Sequence, residues 1–133
     1  MNNKIILQNP RVIVVQKLYS YFMNKDQKII YPKHRFKKFI KDVVQGTIDR
    51  EELIDETISK ELKNDLNIKR TEILLKIIIQ AAIFEFMFQH KTPVKVIINE
   101  YLNVSKSFLS DKQKNFLNAI LDKISKIVRI KNE

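Results

Sequence analysis

Residues 73–88 read Ile73-Leu74-Leu75-Lys76-Ile77-Ile78-Ile79-Gln80-Ala81-Ala82-Ile83-Phe84-Glu85-Phe86-Met87-Phe88, and this stretch decides the architecture. It is the most apolar run in the chain, 16 residues long and interrupted by Lys76, Gln80 and Glu85. A membrane crossing needs about 20 consecutive apolar residues, so the run is too short and too charged to span a bilayer. Its apolar positions almost encircle a helix. A helix apolar on all sides is a buried one, and this segment is expected to be the central element of the fold.

Helical signals continue on both sides of it. Upstream, Thr71 is placed to cap the central helix, and a polar stretch around Lys63–Lys69 separates it from an amino-terminal half. In that half, Asn9 is a fair N-cap and Pro10 suits a first helical position, where a missing N–H costs nothing. Val12, Val15, Tyr19 and Phe22 follow at helical spacing. Residues 24–30 break the pattern. Pro32 is expected to open a second helix with core face Phe36, Phe39, Ile40 and Val43, and Gly46 falls where a C-terminal cap belongs. Asp49 with Glu52 has capping-box spacing for a third helix carrying Ile54, Ile58 and Leu62. Downstream, Thr92 and Pro93 lead into a helix with Val96, Ile97, Tyr101 and Val104. Ser110 and Gln113 make a second capping box ahead of Phe116, Leu117, Ile120, Leu121, Ile124, Ile127 and Val128. No stretch alternates with a two-residue period. The expected class is all-α, with three helices before residue 66 and three or four after it.

Composition removes several kinds of chemistry. The 133 residues include no cysteine and two histidines, His34 and His90. Disulfides, thiol catalysis and cysteine-ligated metal sites are excluded, and little remains to hold a transition metal. The single glycine, Gly46, leaves no glycine-rich phosphate loop. Neither end reads as a targeting segment, so a soluble cytoplasmic protein without a membrane partner is expected. The net charge is +10. Residues 1–50 carry 11 basic and 3 acidic side chains, residues 51–100 carry 7 and 9, and residues 101–133 carry 7 and 3. Two basic ends flanking a mildly acidic middle suit a polyanion such as nucleic acid. Codon bias is the competing reading, because 20 of the 25 cations are Lys in a chain with 21 Ile and 11 Asn.

No constellation specifies catalysis. His34 lies in a basic run, where an exposed or protonated ring is expected, and His90 lies at a helix end. Glu51, Glu52, Asp55 and Glu56 suit a solvated face. Lys33, Lys37 and Lys41 form a stripe at the start of the second helix, with His34 and Lys38 alongside. First-turn cations oppose the helix dipole by roughly 0.3–1 kcal/mol each, which leaves a polyanion partner or codon drift as explanations. Lys112, Gln113 and Lys114 beside Phe116 combine cations, a polar group and an aromatic ring, a set that can hold single-stranded RNA. Phe116 equally fits the apolar stripe of its helix.

Three segments together resemble the NusB family of bacterial transcription antitermination factors. They are Val15-Gln16-Lys17-Leu18-Tyr19-Ser20, then Ile78 to Glu85 with its Phe84-Glu85 ending, then an extended third set. The third runs Pro93, Val94, Val96, Ile98-Asn99-Glu100, Ser105-Lys106-Ser107-Phe108 and Phe116-Leu117-Asn118-Ala119-Ile120-Leu121-Asp122. The resemblance covers about Arg11 to Arg129. It implies one domain over residues 1–133 made of two small packed helical bundles, 1–66 and 67–133. It implies a non-enzymatic adaptor without cofactors or metals. Such an adaptor binds the boxA element of nascent ribosomal RNA together with NusE, a small-subunit ribosomal protein, and joins other Nus factors and RNA polymerase in suppressing termination of rRNA transcription.

By the same resemblance, Lys4 and Arg11 flank the amino-terminal RNA contact. Lys112, Gln113, Lys114 and Phe116 line the RNA path on the last helix, and Tyr19 faces NusE. The chain departs from the family where several arginines usually precede the first helix, since Leu7-Gln8-Asn9-Pro10 has none. Lysine grips phosphate less well than a forked guanidinium does. Lys112 and Lys114 are expected to restore charge nearby. Gln80 stands where the family often has arginine, and Ala119 where it often has glycine. The weakened arginine run keeps open a homodimeric protein-interaction module with weak or no RNA binding. NusB-like domains also head some rRNA cytosine methyltransferases, but this chain is too short for that enzyme and has no cysteine nucleophile.

Overall fold

The computed structural model describes residues 8–131, with side chains described as far as Arg129. Among these residues there are six helices and no strand. They are α1 (Pro10–Met23), α2 (Lys37–Asp49), α3 (Glu51–Glu61), α4 (Ile73–Phe88), α5 (Val94–Ser105) and α6 (Asp111–Lys131). The expected boundary near residue 66 falls in the irregular stretch between α3 and α4.

The apolar run of residues 73–88 is α4, and it packs against all five other helices. Every residue from Ile77 to Phe86 is buried. Its first turn is capped by Glu72 rather than Thr71: the Glu72 carboxylate accepts from the N–H groups of Leu74 and Leu75, each at 3.1 Å. Thr71 instead donates its hydroxyl to the Asn67 carbonyl at 2.7 Å. A carboxylate at this end also suits the positive pole of the helix. At the other end, Arg129 of α6 donates from Nε to the Phe86 carbonyl at 2.7 Å and from Nη1 to the Thr92 carbonyl at 3.1 Å. Its Nη2 faces the carbonyls of Glu85 and Gln89 at 3.4 and 3.5 Å. One guanidinium thus serves the carbonyls around the end of α4 and the turn after it, among them that of Phe86, which the helix end leaves without a partner.

α1 is capped as expected, the Asn9 side chain accepting from the Arg11 N–H at 2.9 Å. Its buried face is different. Arg11, Val14, Val15 and Leu18 point inward with Ile13, whereas Tyr19 is exposed and Val12 and Phe22 are half-buried. The buried set has correct helical spacing, but it begins on an arginine, a residue type assigned to the outside by default.

α2 begins at Lys37, not at Pro32, and Phe36 is exposed at its N-cap. His34 explains the late start. Its Nδ1 accepts from the Phe36 N–H at 2.9 Å, and its Nε2 lies 2.7 Å from the Gln8 carbonyl. A backbone N–H can only donate, so Nδ1 is bare and Nε2–H donates to Gln8. His34 is therefore a neutral, buried pin between the segments leading into α1 and α2, which corrects the expectation of an exposed ring.

Gly46 lies inside α2 rather than at its end, with φ in the ordinary range. A Cβ there would come within 2.2 Å of Cε1 and Cζ of Phe84. The glycine is required by the close approach of α2 to α4. The expected Asp49/Glu52 capping box does not form. α2 runs through Asp49, whose carboxylate accepts from Gln45 Nε2 at 2.8 Å, and Arg50 alone joins α2 to α3. The Ser110/Gln113 box does form: the Ser110 N–H donates to Gln113 Oε1 at 3.0 Å, and the Gln113 N–H to Ser110 Oγ at 3.2 Å.

Candidate nucleic-acid interface

The capping box fixes where the first turn of α6 stands. Leu117, Ile120, Leu121, Ile124 and Val128 then anchor that helix on α4 and α5. An α-helix advances about 100° per residue, so Lys112, Gln113 and Phe116 share one side of the turn and Lys114 lies round the axis from them. Lys112 is exposed. Phe116 is half-buried and packs against the core. Gln113 uses its Oε1 in the cap, which leaves its amide nitrogen for an external acceptor. Farther along α6, Lys123 pairs with Asp65 at 2.7 Å and Lys126 with Asp122 at 3.1 Å. Lys112 and Lys114 have no ion-pair partner among the described residues. Of Lys112, Lys114, Lys123 and Lys126, the two without an ion-pair partner stand in the first turn, beside Asp111.

Lys4 lies outside the described residues. Tyr19 stands 39% exposed on α1, apart from the α6 turn. α1 and α6 each pack against α4 and α5.

Arg11, expected on the RNA path, is engaged inside the fold as well as lining a cleft. It is 8% exposed. Its Nε donates to Glu85 Oε2 at 2.9 Å and its Nη2 to Glu85 Oε1 at 2.7 Å, a two-pronged ion pair. The Tyr101 hydroxyl donates to the same carboxylate. The guanidinium also sits 4.8 Å from the centre of the Phe39 ring and 5.6 Å from that of Tyr101. Burial disfavours the Arg11 cation, but hydrogen bonding and charge from Glu85, helped by Tyr101 and Glu100, outweigh it and hold its pKa above the ordinary arginine value. Burial, with the Glu85 charge, pushes the Tyr101 phenol well above the usual tyrosine range. The cluster ties α1 to α4 and α5. The pair with Glu85 uses Nε and Nη2, so the inner edge of the guanidinium is committed to the scaffold while Arg11 also lines the neighbouring cleft.

The sequence held a signal for this cluster. Glu85 is a lone carboxylate in an otherwise apolar stretch of α4, and a buried charge demands a partner. Beside the cluster, a cleft of about 450 Å³ opens between the segment leading into α1 and the start of α2, lined in part by Arg11, Arg35, Phe36 and Glu100.

The NusB family pattern matches residues 8–126. The chain belongs to the NusB family. It is similar to the transcription antitermination protein NusB of Rickettsia bellii (strain OSU 85-389), with 36% identity over 118 residues covering 84% of this chain and 73% of that protein. The corresponding protein of Caulobacter vibrioides is 31% identical over 91 residues, covering 68% of this chain and 61% of the relative. The solved structure of NusB from T. maritima superposes with a TM-score of 0.78 at 22% identity, covering 88% of each chain, and shares the all-helical fold. The chain is thus a transcription antitermination factor of the NusB type. Among the described residues no group of three or more His, Asp or Glu side chains could hold a metal ion, and no helix is long and apolar enough to cross a membrane.

Proposed function

We propose that this NusB protein is a non-enzymatic adaptor, built from helical bundles at residues 1–66 and 67–133, that binds single-stranded boxA RNA of the ribosomal leader. The first turn of α6 makes the contact. Lys112 and Lys114 neutralise phosphates, the surface edge of Phe116 stacks on a base, and the Gln113 amide donates to the strand. Lys4 extends the contact from the amino terminus. Arg11 is a positioning residue that fixes α1 on α4 and α5. Tyr19 contributes to the face that takes the NusE ribosomal protein, through which the pair joins other Nus factors and RNA polymerase.

The observation that carries this reading is the placing of two cations without ion-pair partners and a half-buried ring at one capped helix start, while Lys123 and Lys126 farther along α6 are paired. Fluorescence anisotropy with labelled boxA RNA tests it. Lys112→Glu and Phe116→Ala should each weaken binding at least five-fold, and affinity should fall steeply with salt. NusE should tighten RNA binding, and RNA should tighten the protein pair by the same factor. Wild-type affinity in both variants contradicts the site. A dimer in sedimentation that RNA does not split favours a homodimeric interaction module instead.

A further inference from the structure

We propose that a second RNA-contacting surface lies at the start of α2, where Phe36 and Arg35 form a base-stacking platform flanked by Lys33 and Lys37, with Lys41 a turn farther along α2 at a neighbouring cleft. This rests on the RNA-binding reading and extends the strand's path beyond the α6 turn.

Phe36 is 47% exposed although it belongs to a helix start, and it closes no part of the core. The Arg35 guanidinium lies 5.0 Å from the centre of its ring. The two make a cation–aromatic stack standing in solvent at the rim of the 450 Å³ cleft. Both planes are of the kind on which unpaired bases stack. The local charge is one-sided. Lys38 is paired with Asp42 at 2.7 Å, while Lys33, Lys37 and Lys41 are exposed with no ion-pair partner among the described residues.

The first turn of α2 carries no acidic residue and its N-cap makes no side-chain hydrogen bond. That turn therefore holds the wrong charge for its own dipole and lacks the usual cap. Folding gains nothing from this arrangement, whereas a polyanion would neutralise it. The platform is also held in place, because His34 bonds both the Phe36 N–H and the Gln8 carbonyl. Glu100 at the cleft wall offers an acceptor for the amino group of a stacked base and would repel a further phosphate. Single-stranded RNA presents phosphates and an unpaired base together, which matches this pairing of exposed stack and cation row.

The test compares two labelled single-stranded RNAs on the full chain, a 12-nucleotide boxA oligomer and the same oligomer extended by ten nucleotides on each side. The extended RNA should bind about five- to ten-fold more tightly to the wild type, in line with one stacked base. Phe36→Ala should abolish that advantage while leaving the short oligomer's affinity unchanged, and Phe36→Tyr should keep it. Lys33→Glu with Lys37→Glu and Lys41→Glu should remove it too, and should flatten the salt dependence for the extended RNA by about two released counterions. Circular dichroism checks that the variants fold. If Phe36→Ala and the triple variant retain the advantage while Lys112→Glu weakens both RNAs, this surface is not on the path and the α6 site stands. If only the triple variant loses it, the surface is an electrostatic one and the stacking platform is wrong. If the wild type binds neither RNA, the RNA-binding reading falls and this proposal falls with it.

Discussion

Replacing Arg11 with Met isolates the ion pair that joins α1 to α4. Methionine keeps much of the apolar stem but removes both donors to Glu85, leaving a carboxylate that is 0% exposed with only the Tyr101 hydroxyl. Breaking a buried pair from one side costs about 3–5 kcal/mol. A chain of this length has a total stability of about 7–20 kcal/mol, so the variant should be badly weakened yet still fold. At about 2 kcal/mol per molar urea, the midpoint should fall by about 2 M in a denaturation followed by circular dichroism. Glu85→Leu strands the guanidinium and should cost a similar amount. The double variant Arg11→Met/Glu85→Leu strands neither charge. Its loss should be several kcal/mol smaller than the sum of the single losses, because an apolar replacement of a buried pair is often close to neutral. Losses that simply add would refute the reasoning, as would an Arg11→Met cost below about 1 kcal/mol.

Three further outcomes follow from the packing. Gly46→Ala must displace the Phe84 ring, and after the better helix propensity of alanine is allowed for it should cost about 1–2 kcal/mol in the same urea assay; a neutral or stabilising result would mean the ring moves freely. Arg129→Ala leaves the carbonyls at the end of α4 without their donor and should cost about 2–3 kcal/mol, with hydrogen exchange rising first around residues 86–92. Tyr101 has a raised pKa in the folded state, so folding keeps a proton that the unfolded chain releases near pH 10. Its contribution is complete below that pH and lost above it, by up to about 1.4 kcal/mol per pH unit. Tyr101→Phe should flatten the stability curve above pH 10, and an identical alkaline slope in both proteins would contradict the assignment.

The fold was legible where apolar spacing alone decided it. α4 spans the expected residues because its apolar run is broken only by Lys76, Gln80 and Glu85, and the Ser110/Gln113 box forms between neighbours in one turn. The misreadings share a cause: a polar side chain took a tertiary partner that local rules do not see. Arg11 turned the face of α1 by pairing with Glu85, 74 residues away. His34 holds the segment before α2 by bonding the Gln8 carbonyl, 26 residues away. Gly46 was read as a cap because glycine commonly ends helices, yet its reason lies in the ring of Phe84 on another helix. The candidate site was legible as a composition. Which side chains share a face depends on where α6 begins.

The central claim is that RNA lies on the first turn of α6. The most direct measurement is an NMR titration of the isotope-labelled protein with unlabelled boxA RNA, following backbone amides and the Phe116 ring. The largest shifts should fall at Lys112, Gln113 and Phe116, with the ring signals moving upfield on stacking, and the amides of the α6 segment around Lys123–Lys126 should stay still. Saturable binding that leaves residues 110–118 unmoved would contradict the account.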